Sequence, residues 1–151
     1  MHWSDEAACS ATAASLADRT ALRDAFIELH GPLGAGKTTF VRHLLKALGV
    51  EGRVKSPTYT LMEPYRSDAA HGAFEIAHLD FYRFDDAQEW EDAGFREVFA
   101  NRGLKLVEWP EKAATLLPRC DLSLSIAPDD VGTMRRVRIE AMTTRGVELL
   151  P

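Results

Sequence analysis

The chain predicts an α/β protein whose central sheet mixes parallel and antiparallel strands and is flanked by helices. Three observations carry that expectation. A short, mostly apolar segment at residues 25–30 (Ala-Phe-Ile-Glu-Leu-His) runs into a glycine-rich loop and then into an amphipathic pattern at residues 39–48. Helical patterns gather early and hairpin-like pairs recur later, whereas a purely doubly wound fold would alternate throughout. Finally, 151 residues, 46% of them hydrophobic, are enough to bury one core, so one domain over residues 1–151 is expected.

The elements follow in order. Ser4-Asp5-Glu6 ahead of an Ala-rich run to about Thr20 reads as a capped helix. The strand, loop and helix come next and end near Gly49. Residues 50–58 read as an irregular connection, because Pro57 is unsuited to a helix interior. Residues 60–65 and 73–80 read as strands joined through a polar turn at residues 66–72. Residues 86–92 and 95–101 read as short helices. Residues 103–108 form a strand that stops at Trp109-Pro110, and a brief helix follows over 111–116. Residues 122–126, 135–141 and 147–150 are expected as antiparallel strands separated by turns.

The loop is the most specific feature. Gly31-Pro-Leu-Gly-Ala-Gly36-Lys37-Thr38 fits G-x-x-x-x-G-K-[ST], the phosphate-binding loop, which makes the expected fold P-loop NTPase-like. A helix N-terminus offers unpaired N–H groups and partial positive charge to a polyanion. Gly31, Gly34 and Gly36 let the backbone curl inward, and the amides around Gly34, Ala35 and Gly36 are expected to cradle the phosphates. Lys37 is a point charge for the β and γ phosphates. Thr38 offers a hydroxyl to Mg²⁺, which prefers hard oxygen ligands. Thr39 is placed to cap the helix or touch the α phosphate.

Such a loop needs a carboxylate at a strand end. Asp80 and Glu108 each close an expected strand, and in open α/β sheets ligands gather at the carboxyl ends of strands. One is expected to hold the metal and the other to orient water or act as a general base; the residues alone do not assign the two roles. Lys55-Ser56-Pro57-Thr58-Tyr59-Thr60 lies between the loop helix and Asp80, where a hydroxyl sensing the γ phosphate would fall, so Ser56, Thr58 and Thr60 are candidates.

Other features have plainer readings. The formal net charge of −5 disfavours strong direct nucleic-acid binding. Arg135-Arg136-x-Arg138 alternates as on a solvated strand face. No apolar run reaches the ~20 residues of a membrane span, and the N-terminus lacks the pattern of an export signal. Cys9 and Cys120 are isolated, which argues against a disulfide framework or zinc site and fits a reducing cytoplasm. His30 and His43 read as packing residues and His78-x-Asp80 as part of a strand. Asp129-Asp-Val-Gly132 reads as a chance match to D-x-x-G in a late turn. Five acids between Asp85 and Asp92 read as a solvated helix face, with a docking surface for a partner as the alternative.

Taken together, Gly-Pro-Leu-Gly-Ala-Gly-Lys-Thr-Thr-Phe (31–40), Lys-Ser-Pro-Thr-Tyr-Thr-Leu (55–61), His-Leu-Asp-Phe-Tyr-Arg (78–83) and Val-Glu-Trp-Pro-Glu (107–111) resemble the TsaE (YjeE) family. Order and spacing match over roughly residues 5 to 117, and the remainder only in character. The resemblance implies an ATPase acting in bacterial synthesis of N6-threonylcarbamoyladenosine at tRNA position 37, in tRNAs that read codons beginning with A. It implies TsaB and TsaD as protein partners, tRNA reached through that complex, no membrane association, and ATP and Mg²⁺ as ligands. Carried onto this chain, Lys37 would contact phosphates, Thr38 and Glu108 would hold Mg²⁺, and Asp80 would be the second acid near the metal. Residues 56–60 would be the first switch, and Trp109 would lie beside the site and position Glu108. Pro32 departs from the Asp common in relatives, and the Ala-rich first helix offers no alignable contact residue.

These readings imply in-line attack of water on the γ phosphate. Hydrolysis would be weak in the isolated chain and faster when a partner orders the switch; no obvious arginine finger is identifiable, and Arg83 is the nearest candidate by sequence. The rival readings are a small-molecule kinase, for which no Arg-rich lid insertion is visible, and a non-catalytic nucleotide-gated interaction module.

Overall fold

The computed structural model describes residues 1–151. One seven-stranded sheet organises the chain: β1 (His2–Trp3), β2 (Phe26–His30), β3 (Met62–Arg66), β4 (Glu75–Asp80), β5 (Leu104–Glu108), β6 (Leu122–Pro128) and β7 (Arg135–Ala141). Their spatial order is β1-β7-β6-β2-β5-β4-β3. β2 pairs in parallel with both β5 and β6, and β4 pairs in parallel with β5. The margins are antiparallel, with β3 on β4, β7 on β6 and β1 on β7. The expected mixed sheet is therefore present. β6 departs from expectation in being parallel to β2 while antiparallel to β7.

Helices α1 (Glu6–Ala17) and α2 (Lys37–Ala47) pack together on one face. In α1 the Asp5 carboxylate accepts from the Ala8 N–H at 2.9 Å, the expected N-cap. Cys9, Ala13, Leu16 and Ala17 form its buried side, and the small Ala residues let α1 lie close to its neighbours. In α2, Phe40, Val41, Leu44 and Leu45 recur at helical spacing and meet Ile27, Leu29, Leu106, Leu122 and Leu124 from the sheet. The opposite face carries α3 (Ala87–Asp92) and α4 (Phe95–Ala100), whose Trp90 and Phe95 close over Phe26, Phe81 and Val107. Of the acids around α3, Asp85, Asp86, Glu91 and Asp92 are exposed and Glu89 is half-buried, while Trp90 points inward.

The expected strand at 147–150 is instead helix α5 (Thr144–Leu149). The Thr143 hydroxyl accepts from the Gly146 N–H at 3.2 Å and caps it. The same hydroxyl donates to Asp121 at 2.6 Å, and Asp121 also accepts from the Phe26 N–H at 2.8 Å. Local capping tied to a buried carboxylate thus overrides the β-like pattern of the last residues. Two smaller corrections also apply. The helix expected at 111–116 is a single 3₁₀ turn, Pro110–Ala113, and a 3₁₀ segment at Thr20–Asp24 and strand β1 were not foreseen. No helix is long and apolar enough to cross a membrane.

Candidate functional site

The site forms where three parallel strands end together. β2 enters the glycine loop, while β4 and β5 end on Asp80 and Glu108, which are register partners. Leu29 of β2 pairs with Glu108 on the other side, so the loop and both carboxylates share one edge of the sheet.

Within the loop, Gly31 has φ +147, Gly34 φ +78 and Gly36 φ +109. A Cβ on Gly31 would collide with the carbonyl oxygen of Ile126 on β6, so the loop entry lies directly against that strand. α2 begins at Lys37, two residues earlier than its pattern suggested, and no side chain caps it. Its first amides therefore stay available to an anion.

The Lys37 ammonium donates to the carbonyls of Gly31 (2.6 Å) and Pro32 (3.0 Å) and lies 4.2 Å from the centre of the Trp109 ring. Trp109 has left-handed backbone, φ +56, a strained conformation for a bulky residue. That turn ends β5 sharply and sets the indole under the ammonium, beside Tyr82 (ring centroids 5.0 Å apart). Burial lowers the Lys37 pKa below the ordinary lysine value, opposed by the charges of Glu108, Glu111 and Asp80.

Glu108 is fixed at both oxygens. Thr38 donates to Oε1 at 2.8 Å, and His78 approaches Oε2 through Nε2 at 2.6 Å. His78 is two residues before Asp80 on β4, so both project to the same face. Asp80 accepts from the Tyr82 N–H (2.9 Å) and from the Thr58 hydroxyl (3.2 Å). Lys37 and Asp80 are each 5% exposed, Glu108 2% and His78 0%. Burial raises the Asp80 carboxyl above its ordinary value; the Tyr82 bond opposes this and the nearby Glu108 charge adds to it.

Most of the expected site residues therefore converge. Gly34, Ala35, Gly36, Lys37, Thr38, Thr39, Thr58, Asp80, Glu108 and Trp109 all line one cavity of about 280 Å³, completed by Leu33 and Tyr82. The three hydroxyl candidates of the connection separate. Thr58 reaches Asp80, and Ser56 touches Thr58 (2.9 Å), but Thr60 bonds Glu63 (3.2 Å) instead. Arg83 stacks on Tyr59 at 4.4 Å and does not line the cavity.

Three histidines differ from their sequence readings. His30 and His43 are hydrogen-bonded to Glu28 (3.0 Å) and Glu6 (2.9 Å) and are partly exposed, rather than being packing residues. His78, read only as a strand residue, is the buried partner of Glu108. Its signal lay in the i, i+2 spacing to Asp80. Sequence reasoning also missed a second cavity of about 270 Å³, lined by Trp3, Ser4, Asp5, Glu6, Cys9, Thr133 and Arg135 and sharing Gly34, Ala35, Gly36 and Thr39 with the loop. Arg135 Nε donates to the Ala35 carbonyl at 3.0 Å, so one member of the expected solvated arginine run is an anchor of the loop. No local motif marks this cavity, because it joins the two ends of the sequence across β1 and β7.

The donor set suits a hard divalent cation next to a polyanion. The Thr38 hydroxyl and two buried carboxylates at adjacent register positions are oxygen donors, and the burial and the neighbouring Glu108 charge that together raise the Asp80 carboxyl are costs a bound cation would offset.

A strand–glycine loop–helix unit with acids at the neighbouring strand ends places this molecule in the P-loop class of α/β proteins. Comparison with known proteins narrows the class. The family described as "Threonylcarbamoyl adenosine biosynthesis protein TsaE" matches residues 3–137. The chain is 39% identical over 124 residues to the tRNA threonylcarbamoyladenosine biosynthesis protein TsaE of Haemophilus influenzae, covering 82% of this chain and 75% of that one. It is 40% identical over 106 residues to the protein of the same name from Bacillus subtilis, covering 69% and 63% respectively. The crystal structure of Bacillus subtilis YdiB superposes with a TM-score of 0.78 at 26% identity, over 99% of this chain and 88% of that one. The chain belongs to the TsaE family.

Proposed function

We propose that this chain binds magnesium-complexed ATP at the glycine loop and hydrolyses it in the course of N6-threonylcarbamoyladenosine modification of tRNA position 37, acting with TsaB and TsaD. The observation that carries the reading is the convergence of Lys37, Thr38, Asp80 and Glu108, from three separate elements, on one cavity beneath the amides of α2. The names borne by the relatives supply the pathway.

The loop amides and Lys37 would hold the β and γ phosphates and neutralise charge that spreads during transfer. Thr38 and Glu108 would hold Mg²⁺, which supplies Lewis-acid neutralisation of the phosphate oxygens when bound. Asp80 would orient the attacking water and accept its proton, a role consistent with a carboxyl whose proton affinity burial has raised. The second cavity, contiguous with the loop through Gly34–Gly36 and Thr39, has the position and size to take the nucleoside end. Lys37 is the one cation lining the loop cavity. Slow turnover in the isolated chain and faster turnover in a complex that orders residues 56–60 follow from this reading. A cytoplasmic setting accords with it.

The test is Glu108→Gln. Calorimetry should retain Mg-ATP binding while phosphate release with TsaB and TsaD falls by roughly 100-fold or more, and cells relying on the variant should lose the modification. Full modification with Glu108→Gln would favour a nucleotide-gated module without catalysis, and labelled phosphate appearing on a metabolite would favour a kinase.

A further inference from the structure

Leu61 is a second left-handed residue beside the site, with φ +65 where Trp109 has +56. That backbone disfavours an L side chain by roughly 5- to 30-fold relative to glycine, and a bulky residue adopts it only where its surroundings hold it there. Here two things do. The Leu61 side chain is partly buried against the aromatic cluster that contains Phe81, the residue after Asp80. Its backbone is also bonded on both sides: the Leu61 N–H donates to the Pro57 carbonyl at 2.7 Å, and the Leu61 carbonyl accepts from the Asp80 N–H at 3.0 Å.

The turn closes a segment with little else to fix it. Between residues 51 and 60 the Pro57 carbonyl is the one main-chain group bonded to other main chain. The remaining ties are made by side chains. The Lys55 N–H donates to the Tyr65 hydroxyl at 2.9 Å, Thr58 reaches Asp80 at 3.2 Å, and Arg83 stacks on Tyr59. Leu61 stands at the junction: from Met62 onward the chain is laddered to β4, and before Leu61 it is not.

Asp80 is held from the same place. Three consecutive amides set its position. Its own N–H donates to the Leu61 carbonyl, that of Phe81 to the Glu108 carbonyl at 3.1 Å, and that of Tyr82 to the Asp80 carboxylate at 2.9 Å. Were Leu61 to relax to extended backbone, its carbonyl would turn away from the first of these amides and the Thr58 hydroxyl would leave the carboxylate. We propose that Leu61 is a positioning residue: its left-handed turn is the hinge on which residues 55–61 close over Asp80, and its packed side chain holds that hinge shut. The role rests on the proposed reading of Asp80 as the acid that orients water. Strain at the hinge keeps the closed arrangement from being deep, so a small change at the side chain moves the balance between closed and open.

The test is trypsin cleavage after Arg53 and Lys55 in the full chain without nucleotide, where the rate follows the open population. Leu61→Ala keeps the strain and loses the anchor, so cleavage should quicken at least about 5-fold. Leu61→Gly loses the anchor and the strain together, and should be cleaved about 5-fold more slowly than Leu61→Ala. Leu61→Asn, which tolerates left-handed backbone, should fall between them. At an ordinary extended position glycine is the looser residue, so cleavage faster in Leu61→Gly than in Leu61→Ala would overturn the hinge. Cleavage after Lys46, inside α2, should not change; a parallel rise there would make Leu61 a residue of global stability only. Turnover with TsaB and TsaD should fall in the same order, roughly 3-fold or more in Leu61→Ala, with Mg-ADP affinity by calorimetry held within about twofold. Faster cleavage with unchanged kcat would defeat the positioning role. Absence of Mg-ATP binding by the unaltered chain would defeat the proposed function instead, and the cleavage order would still decide the hinge.

Discussion

His78 Nε2 lies 2.6 Å from Glu108 Oε2, and neither side chain is more than 3% exposed. Since Thr38 occupies the other oxygen, the carboxylate is held in one orientation before any ligand arrives. Residues that orient a metal-binding carboxylate typically contribute 10- to 100-fold to metal affinity or activity. We expect His78→Ala to lower ATP turnover within that range and to raise the Mg²⁺ concentration needed for half-maximal rate. Turnover assayed across a magnesium series checks this; an unchanged midpoint would reduce His78 to a packing residue.

Lys37 satisfies two loop carbonyls and rests on the Trp109 indole, at a cost in desolvation. We expect Lys37→Ala to weaken Mg-ATP binding by at least about 100-fold, the loss of one buried, charge-assisted contact of roughly 3 kcal/mol. Lys37→Arg should not restore it, because the planar fork does not fit a space shaped for a point charge. Calorimetry on both variants distinguishes shape from charge.

Gly31 combines φ +147 with the carbonyl of Ile126 where a side chain would begin. Gly31→Ala is expected to destabilise the fold by about 2–4 kcal/mol. Gly34→Ala meets no neighbouring atom and costs only its backbone strain at φ +78, about 1–2 kcal/mol. Denaturant melts of the pair should therefore separate packing against β6 from conformational strain alone.

Burial pushes the Cys9 thiol up to about 11, with the Glu6 charge adding to it. Burial likewise pushes Cys120 up to about 12, with Glu28 adding to it. Native chains at pH 8 should react slowly with thiol reagents, whereas unfolded chains report both cysteines at once. The sign for stability follows. A folded pKa above the ordinary 9.0 gives a contribution that is whole below pH 9 and lost as pH climbs toward 11–12. Cys9 also lines the second cavity. ATP should slow its alkylation, followed by mass spectrometry, more than inorganic triphosphate does; equal protection would place the nucleoside elsewhere.

The phosphate end of the site was legible in the sequence because each part is local. The loop is one contiguous motif, and Asp80 and Glu108 announce themselves as acids closing apolar strands. What stayed hidden depends on tertiary placement. Trp3 and Arg135 meet at the second cavity only because β1 pairs with β7 at the far side of the sheet. The C-terminal residues read as a strand because Val147, Leu149 and Leu150 are β-compatible; the cap supplied by Thr143 and its bond to Asp121 decided for a helix.

The margins of the sheet have a consequence for handling the protein at high concentration. On one side the outermost strand, β1, is two residues long; on the other, β3 carries the exposed Pro64, which has no N–H to offer a neighbour. Neither border supplies an uninterrupted template for a second molecule to zip onto. Fibrous or ladder-like self-association is accordingly blunted by the fold itself.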